Sequence, residues 1–161
     1  VKVLKFGGSS VADGERIRSV TDIIVQAGLE SRVAVVLSAM KGVTDLLITA
    51  ARKAEEGSDE FKLALETVRA RHFDAVRVLF GAADQATALT PLAIMCNELE
   101  EILHGVELIK ECSPRTMDLV MSFGERLSCR LAVSYMCSRG MPAVLVDARE
   151  IVRFDSGTGA V

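Results

Sequence analysis

Val1-Lys2-Val3-Leu4-Lys5-Phe6-Gly7-Gly8-Ser9-Ser10 reads as a short apolar strand that ends in a lysine, paired glycines and hydroxyls. A strand that stops this way is suited to holding an anion. Without a Cβ, the glycine backbone can bring its amide groups close to a phosphate, and Lys5 adds a movable positive charge. The polar run continues to Asp13, where a helical pattern starts whose N-terminus carries further partial positive charge. This is not the Walker A arrangement, because lysine precedes the glycines instead of following a longer glycine loop. Two readings are open at this point: a phosphate-holding loop, and an ordinary glycine turn between strand and helix.

Working outward, Asp13 to about Ala27 has the apolar spacing of a helix, with Ile17, Val20, Ile23, Ile24 and Ala27. Arg32 to Leu37 is a second continuous apolar strand, ending in Ser38-Ala39-Met40-Lys41-Gly42-Val43-Thr44. Strand, helix and strand in this order predict a parallel sheet covered by helices. A helix follows from about Thr44 to Glu56. From Ser58 to Cys112 the pattern is wholly helical: one helix to about Phe80, then a second from Thr87 or Pro91 to Cys112. Leu63, Val68, Phe73, Val76 and Leu79 define one apolar face; Leu92, Met95, Leu99, Ile102, Leu103, Val106 and Ile109 define the other. The pair predicts a helical hairpin whose stripes are packing surface. Ser113-Pro114 starts another helix, running to Ser138 before Arg139-Gly140. Ala143–Val146 is expected as a third parallel strand and Ile151–Phe154 as a further short one, before the thinner Ser156-Gly157-Thr158-Gly159.

The 161 residues suffice for one domain or part of a larger one, with 50% apolar and 25% charged residues. Nineteen basic against 22 acidic residues, with no basic run interleaved with aromatics, argue against nucleic acid as a partner. Apolar runs of strand length, such as Val33–Leu37, argue against a membrane span. Cys96, Cys112, Cys129 and Cys137 lack metal-type spacing and are expected to pack in the core, which fits a reducing, cytoplasmic setting. His72 and His104 lie in charged helical stretches and are expected at the surface.

Three motifs in register decide between the two readings of the glycine loop. They are Lys5-Phe6-Gly7-Gly8-Ser9-Ser10-Val11, Leu37-Ser38-Ala39-Met40-Lys41-Gly42-Val43-Thr44, and Ser122-Phe123-Gly124-Glu125-Arg126-Leu127-Ser128. In order and separation they resemble the aspartokinases of the amino-acid kinase superfamily. The resemblance covers essentially the whole chain. It implies an α/β fold, a parallel-sheet three-layer sandwich of the amino-acid kinase type with an inserted helical hairpin, here as an incomplete domain. It also implies ATP- and Mg2+-dependent phosphorylation of the side-chain carboxylate of L-aspartate, the step that opens lysine, threonine and methionine biosynthesis.

By that resemblance Lys5 balances charge on the transferred phosphoryl group, and Lys5, Phe6, Gly7, Gly8, Ser9 and Ser38 hold the nucleotide. Thr44 and Glu125 take the aspartate, Glu125 by accepting from its α-ammonium group. A charge-assisted bond of this kind separates aspartate from simple dicarboxylates. No metal ligand is assigned. Each residue also has a plainer reading: Ser38 as a loop hydroxyl, Thr44 as a helix N-cap, Glu125 as a surface acid, Arg126 as the partner of a nearby acid. Gly124, costly inside a helix, points to a close approach of something at that spot. Asp45 stands where the family pattern has asparagine.

Aspartokinases carry a further half of the kinase domain and small ligand-sensing ACT modules, whose motifs are not among these residues. The chain is therefore expected to be the N-terminal part of a longer, homo-oligomeric enzyme and inactive alone. Another amino-acid kinase, acting on glutamate or acetylglutamate, and a non-catalytic assembly module are the alternatives.

Overall fold

The computed structural model describes residues 1–152. Strand β1 (Lys2–Phe6) pairs in parallel with β2 (Val33–Leu37), with Leu4 opposite Val35 and Phe6 opposite Leu37. Paired residues of a parallel sheet share a face. The face bearing Leu4, Phe6, Val35 and Leu37 packs on the core, whereas Val3 and Val36 on the other face are 69% and 53% exposed. Helices thus cover one side of the sheet, although both strands are apolar enough for burial on two.

Between the strands runs α1 (Gly14–Glu30), capped by Asp13, whose Oδ1 accepts from the Arg16 amide at 2.9 Å. Its buried stripe is Ile17, Val20, Thr21 and Ile24, while Ile23 lies off it and is exposed. After β2 come α2 (Val43–Glu55), α3 (Phe61–Leu79), α4 (Ala82–Ile109), α5 (Pro114–Ser138) and the single turn α6 (Ala148–Ile151). Ser113 caps α5 through the Thr116 amide at 3.1 Å, with Pro114 next, where a missing N–H costs nothing. The expected hairpin is α3 and α4, joined at Phe80-Gly81, and α3 packs against both α2 and α4.

The expected faces of the hairpin lie in or against the core, including Val68, Phe73, Val76 and Leu79 on α3 and Leu92, Met95, Leu99, Ile102, Leu103 and Val106 on α4, with Leu63 and Ile109 as the exceptions. The buried stripe of α3 is Phe61, Leu65, Val68, His72, Ala75, Val76 and Leu79, so Leu63, about 200° around the helix from Leu65, is exposed. His72 also belongs to this stripe and is fully buried, not at the surface as expected. On α4 the stripe is Ala88, Leu92, Cys96, Leu99, Leu103 and Val106, and Ile109 falls beyond it, exposed. This helix starts earlier than Thr87 and runs through Pro91. An interior proline costs about 3 kcal/mol, which burial of Leu92, Leu99 and Leu103 at roughly 1.5–3 kcal/mol each offsets.

Two strand expectations fail. Among the described residues the sheet is two-stranded. Ala143–Val146 alternates half-buried Ala143 and Leu145 with exposed Val144 and Val146, but joins no hydrogen-bond ladder. Strand propensity orders the side chains; a ladder also needs a neighbouring backbone. Ile151 ends the helical turn α6, capped by Asp147, instead of starting a strand. Phe154 and Ser156-Gly157-Thr158-Gly159 lie outside the described residues. Of the cysteines, Cys96 is buried, Cys112 and Cys129 are half-buried, and Cys137 is exposed, contrary to expectation for the last.

Candidate active site

In a parallel sheet with covering helices, ligands bind beyond the carboxyl ends of the strands, where the following loops meet. Here both strands end together. The Ser38 amide donates to the Phe6 carbonyl at 3.0 Å, and the Lys41 amide donates to the Gly8 carbonyl at 3.1 Å. The loop after β1 is therefore bonded to the loop after β2. Gly8 allows the approach: a Cβ there would lie 2.8 Å from the Ala39 carbonyl oxygen, a backbone atom that cannot swing away. Gly7 and Gly8 lead into a 3-10 turn, Gly8–Val11, with Ser9 exposed and Ser10 half-buried on it.

Lys5, exposed at the end of β1, reaches back over this loop; its Nζ is 3.8 Å from where a Cβ on Gly7 would stand. The ammonium is thus held beside bare backbone. Phe6 contributes differently from its neighbours, since its ring packs on the core and its carbonyl is occupied by Ser38.

Helix α5 closes the arrangement from the far side. A Cβ on Gly124 would lie 2.7 Å from the Ala39 Cβ and 3.3 Å from Leu47 Cδ1, so the close approach expected at this glycine is made by the loop after β2. The next residue, Glu125, is exposed, and its Oε1 lies 3.4 Å from the Ala39 amide. One turn on, the buried Ser128 hydroxyl donates to the Ser38 carbonyl at 2.8 Å, which holds Ser38 half-buried. Cys129 beside it is a neutral packing group, since burial pushes its thiol pKa up and the Glu125 charge adds to that.

Thr44 is half-buried in the first turn of α2, whose N-cap is Gly42 with a left-handed φ of 79°, so Thr44 is not the cap. Arg126 stacks on the Phe123 ring at 4.3 Å and reaches Glu98 at 3.5 Å, the pairing with a neighbouring acid foreseen for it. Lys5, the two bonded loops and the Glu125 carboxylate thus lie on adjoining segments. Such a surface can hold an oligophosphate at one end and an ammonium at the other.

Residues 1–160 match the model of the amino acid kinase family. The chain belongs to that family. Among amino acid kinases, it is similar to aspartokinase 1, chloroplastic, of Arabidopsis thaliana, with 39% identity over 92% of this chain and 26% of that protein. To aspartokinase 3, chloroplastic, of the same plant the identity is 35%, over 92% and 26%. The crystal structure of E. coli aspartokinase III in complex with lysine and aspartate superposes with a TM-score of 0.83 at 28% identity, covering 99% of this chain and 34% of that one. The complex of the same enzyme with aspartate and ADP gives a TM-score of 0.82 at 27% identity. This chain therefore spans about a quarter of the length of the plant amino acid kinases and a third of the bacterial one. The α/β fold of the amino acid kinase type with a helical hairpin, expected by resemblance as a parallel-sheet three-layer sandwich, is borne out; among the described residues it is mostly helical with a two-stranded parallel sheet.

Motif reading brought together Gly7, Gly8, Ser38 and Glu125, and the structure has them on two bonded loops and the helix against them. It missed the Ala39 amide and Ser128, which orient Glu125 and Ser38. It also missed Arg71 on α3, whose guanidinium reaches both loops. No short-range pattern marks a residue whose partners lie 30 and 59 positions away.

Proposed function

We propose that this chain is the phosphate- and aspartate-recognising part of an aspartokinase. The observation that carries the reading is the contact between Glu125 and the Ala39 amide, because Ala39 is also the residue against which Gly8 packs. An amine-selecting carboxylate and a phosphate-type loop thereby share one backbone segment. The similarity to plant aspartokinases, and to a bacterial one crystallised with aspartate and with ADP, supports the same assignment.

In the reaction, an oxygen of the aspartate side-chain carboxylate forms a bond to the γ-phosphorus of ATP as the bond from that phosphorus to the β,γ-bridging oxygen breaks, and ADP leaves. The attacking carboxylate is already ionised, so no general base is needed. Positioned charge is then the main requirement. Lys5 stabilises the oxygens of the moving phosphoryl group. The amides of Gly7, Gly8 and Ser9 hold the phosphates, Ser38 lies at their edge, and Glu125 with Thr44 orients the amino acid. Among the described residues no group of three or more His, Cys, Asp or Glu is placed to hold a metal; a magnesium ion accompanying ATP would be held mainly by the phosphates and water, with one or two carboxylates. The aspartyl phosphate formed would enter lysine, threonine and methionine synthesis. The open sheet face at Val3 and Val36 favours association with further protein, including a second subunit.

Calorimetric titration of the chain with ATP and with L-aspartate tests the reading. Glu125→Gln is expected to weaken aspartate at least tenfold, about 1.4 kcal/mol, and leave ATP unchanged; Lys5→Ala does the reverse. Aspartate binding that survives Glu125→Gln, or a wild-type chain that takes up neither ligand, removes the assignment.

A further inference from the structure

Arg71 sits on α3, in the hairpin whose apolar stripes serve packing, yet its guanidinium is directed at neither solvent nor an acid. Nη1 donates to the Lys41 carbonyl at 2.6 Å, and Nη2 donates to the Ala12 carbonyl at 3.2 Å. Those two carbonyls mark corresponding places in the two loops. Ala12 ends the 3-10 turn that follows Gly7-Gly8, and Lys41 immediately precedes Gly42, the cap of α2. Gly42 is required there by its left-handed φ of 79°, and it lies beside Arg71 Nη1.

Other arginines of α3 behave differently. Arg69 reaches Glu66 and Glu100, and Arg77 pairs with Asp74, as surface cations usually do. Arg71 is half-buried and spends its planar fork on two peptide carbonyls 29 residues apart in sequence. A guanidinium can bridge two acceptors in fixed geometry, whereas an ammonium is a point donor on a flexible stem. A cation behind two carbonyls also offsets their partial negative charge, next to loops whose amides face an anion.

We propose that Arg71 is a positioning residue: it ties the loop after β1 to the loop after β2 from the hairpin side and so sets the spacing of the amides that hold phosphate. The Phe6–Ser38 bond joins the loops beside the sheet and the Gly8–Lys41 bond joins them at Lys41; Arg71 adds a link from the Lys41 carbonyl to the Ala12 carbonyl, beyond the reach of either. The hairpin thereby acts on the site and is more than packing. What the loops hold rests on the aspartokinase reading; the tie itself rests on the two hydrogen bonds.

Hydrogen–deuterium exchange on the chain, paired with ATP titration, tests this. Arg71→Ala is expected to speed exchange about tenfold at residues 8–12 and 40–43 together, leave α4 amides such as Leu99 unchanged, and weaken ATP about tenfold. Arg71→Lys should restore slow exchange in only one of the two loops, and Arg77→Ala should change neither loop nor ATP affinity. Unchanged exchange in both loops, or equal acceleration throughout the chain, overturns the proposal. Loop exchange that responds to Arg71→Ala in a chain that binds no ATP supports the tie and removes the aspartokinase reading. ATP binding with loops indifferent to Arg71 does the opposite.

Discussion

Gly124 lies so close to Ala39 that a Cβ added to it would stand 2.7 Å from the Ala39 Cβ. Helix α5 can therefore press its backbone onto the loop after β2, and Glu125, the next residue, meets the Ala39 amide. The absent side chain sets the distance between the Glu125 carboxylate and the two bonded loops.

Gly124→Ala is expected to destabilise the chain, by up to about 2 kcal/mol. Alanine gains about 1 kcal/mol over glycine in a helix, but overpacking against a fixed Cβ costs roughly 1–3 kcal/mol, and Leu47 crowds the same point. Urea denaturation measures the loss. Ala39→Gly should relieve it in the double variant, with a coupling of at least about 0.5 kcal/mol. Additive effects of the two changes would show that the contact does not set the packing.

Buried His72 makes stability pH-dependent. Its Nδ1 is 2.7 Å from the Val68 carbonyl, which can only accept, so Nδ1 carries the proton; Nε2 is buried without a partner. Burial depresses the imidazole pKa from 6.5 to about 4, the Val68 bond opposing this and the Arg71 charge adding to it. The folded state thus favours the neutral ring, and the unfolded state binds more protons between pH 6.5 and 4. Stability from this source is complete above pH 6.5 and falls as pH drops toward 4, by up to about 3 kcal/mol. His72→Leu keeps the stripe apolar, leaves the Val68 carbonyl its helical partner, and should flatten this part of the profile. Equal pH slopes for both proteins in urea titrations would remove His72 as the cause.

Thiol reactivity should separate the cysteines by burial. Cys137 is exposed and is expected to react first with a disulfide reagent, while Cys96 is buried with its pKa pushed up to about 11, and should react only on unfolding. Cys137→Ser should abolish the fast phase. A fast phase that persists in this variant would place the reactive thiol at Cys112 or Cys129.

Local signals were read well where their range is short. Asp13 and Ser113-Pro114 start helices because capping involves residues three positions apart, and the two βα units follow from apolar runs that end in glycine and hydroxyl residues. The hairpin and most of its packing faces were legible; the edges of those faces were not. Leu63 lies just outside the buried stripe and His72 within it, and only contact with the neighbouring helices α2 and α4 fixes how wide the stripe is. For Ala143–Val146 the pattern supplied alternation but not a ladder, which depends on a second backbone.

By itself the sequence determined the glycine loop after an apolar strand, the motif order that marks an amino acid kinase, and the residue types suited to phosphate and ammonium. These are properties of neighbours along the chain, governed by backbone freedom, capping and charge. Tertiary structure decided which groups meet. Gly8 against Ala39, Glu125 at the Ala39 amide, and Arg71 across Ala12 and Lys41 join residues 30 to 86 positions apart; the first exists only once β1 has paired with β2, and the others only once α5 and α3 have packed against the loops. Packing distances of a few tenths of an ångström fix them, and no pattern of letters encodes that directly.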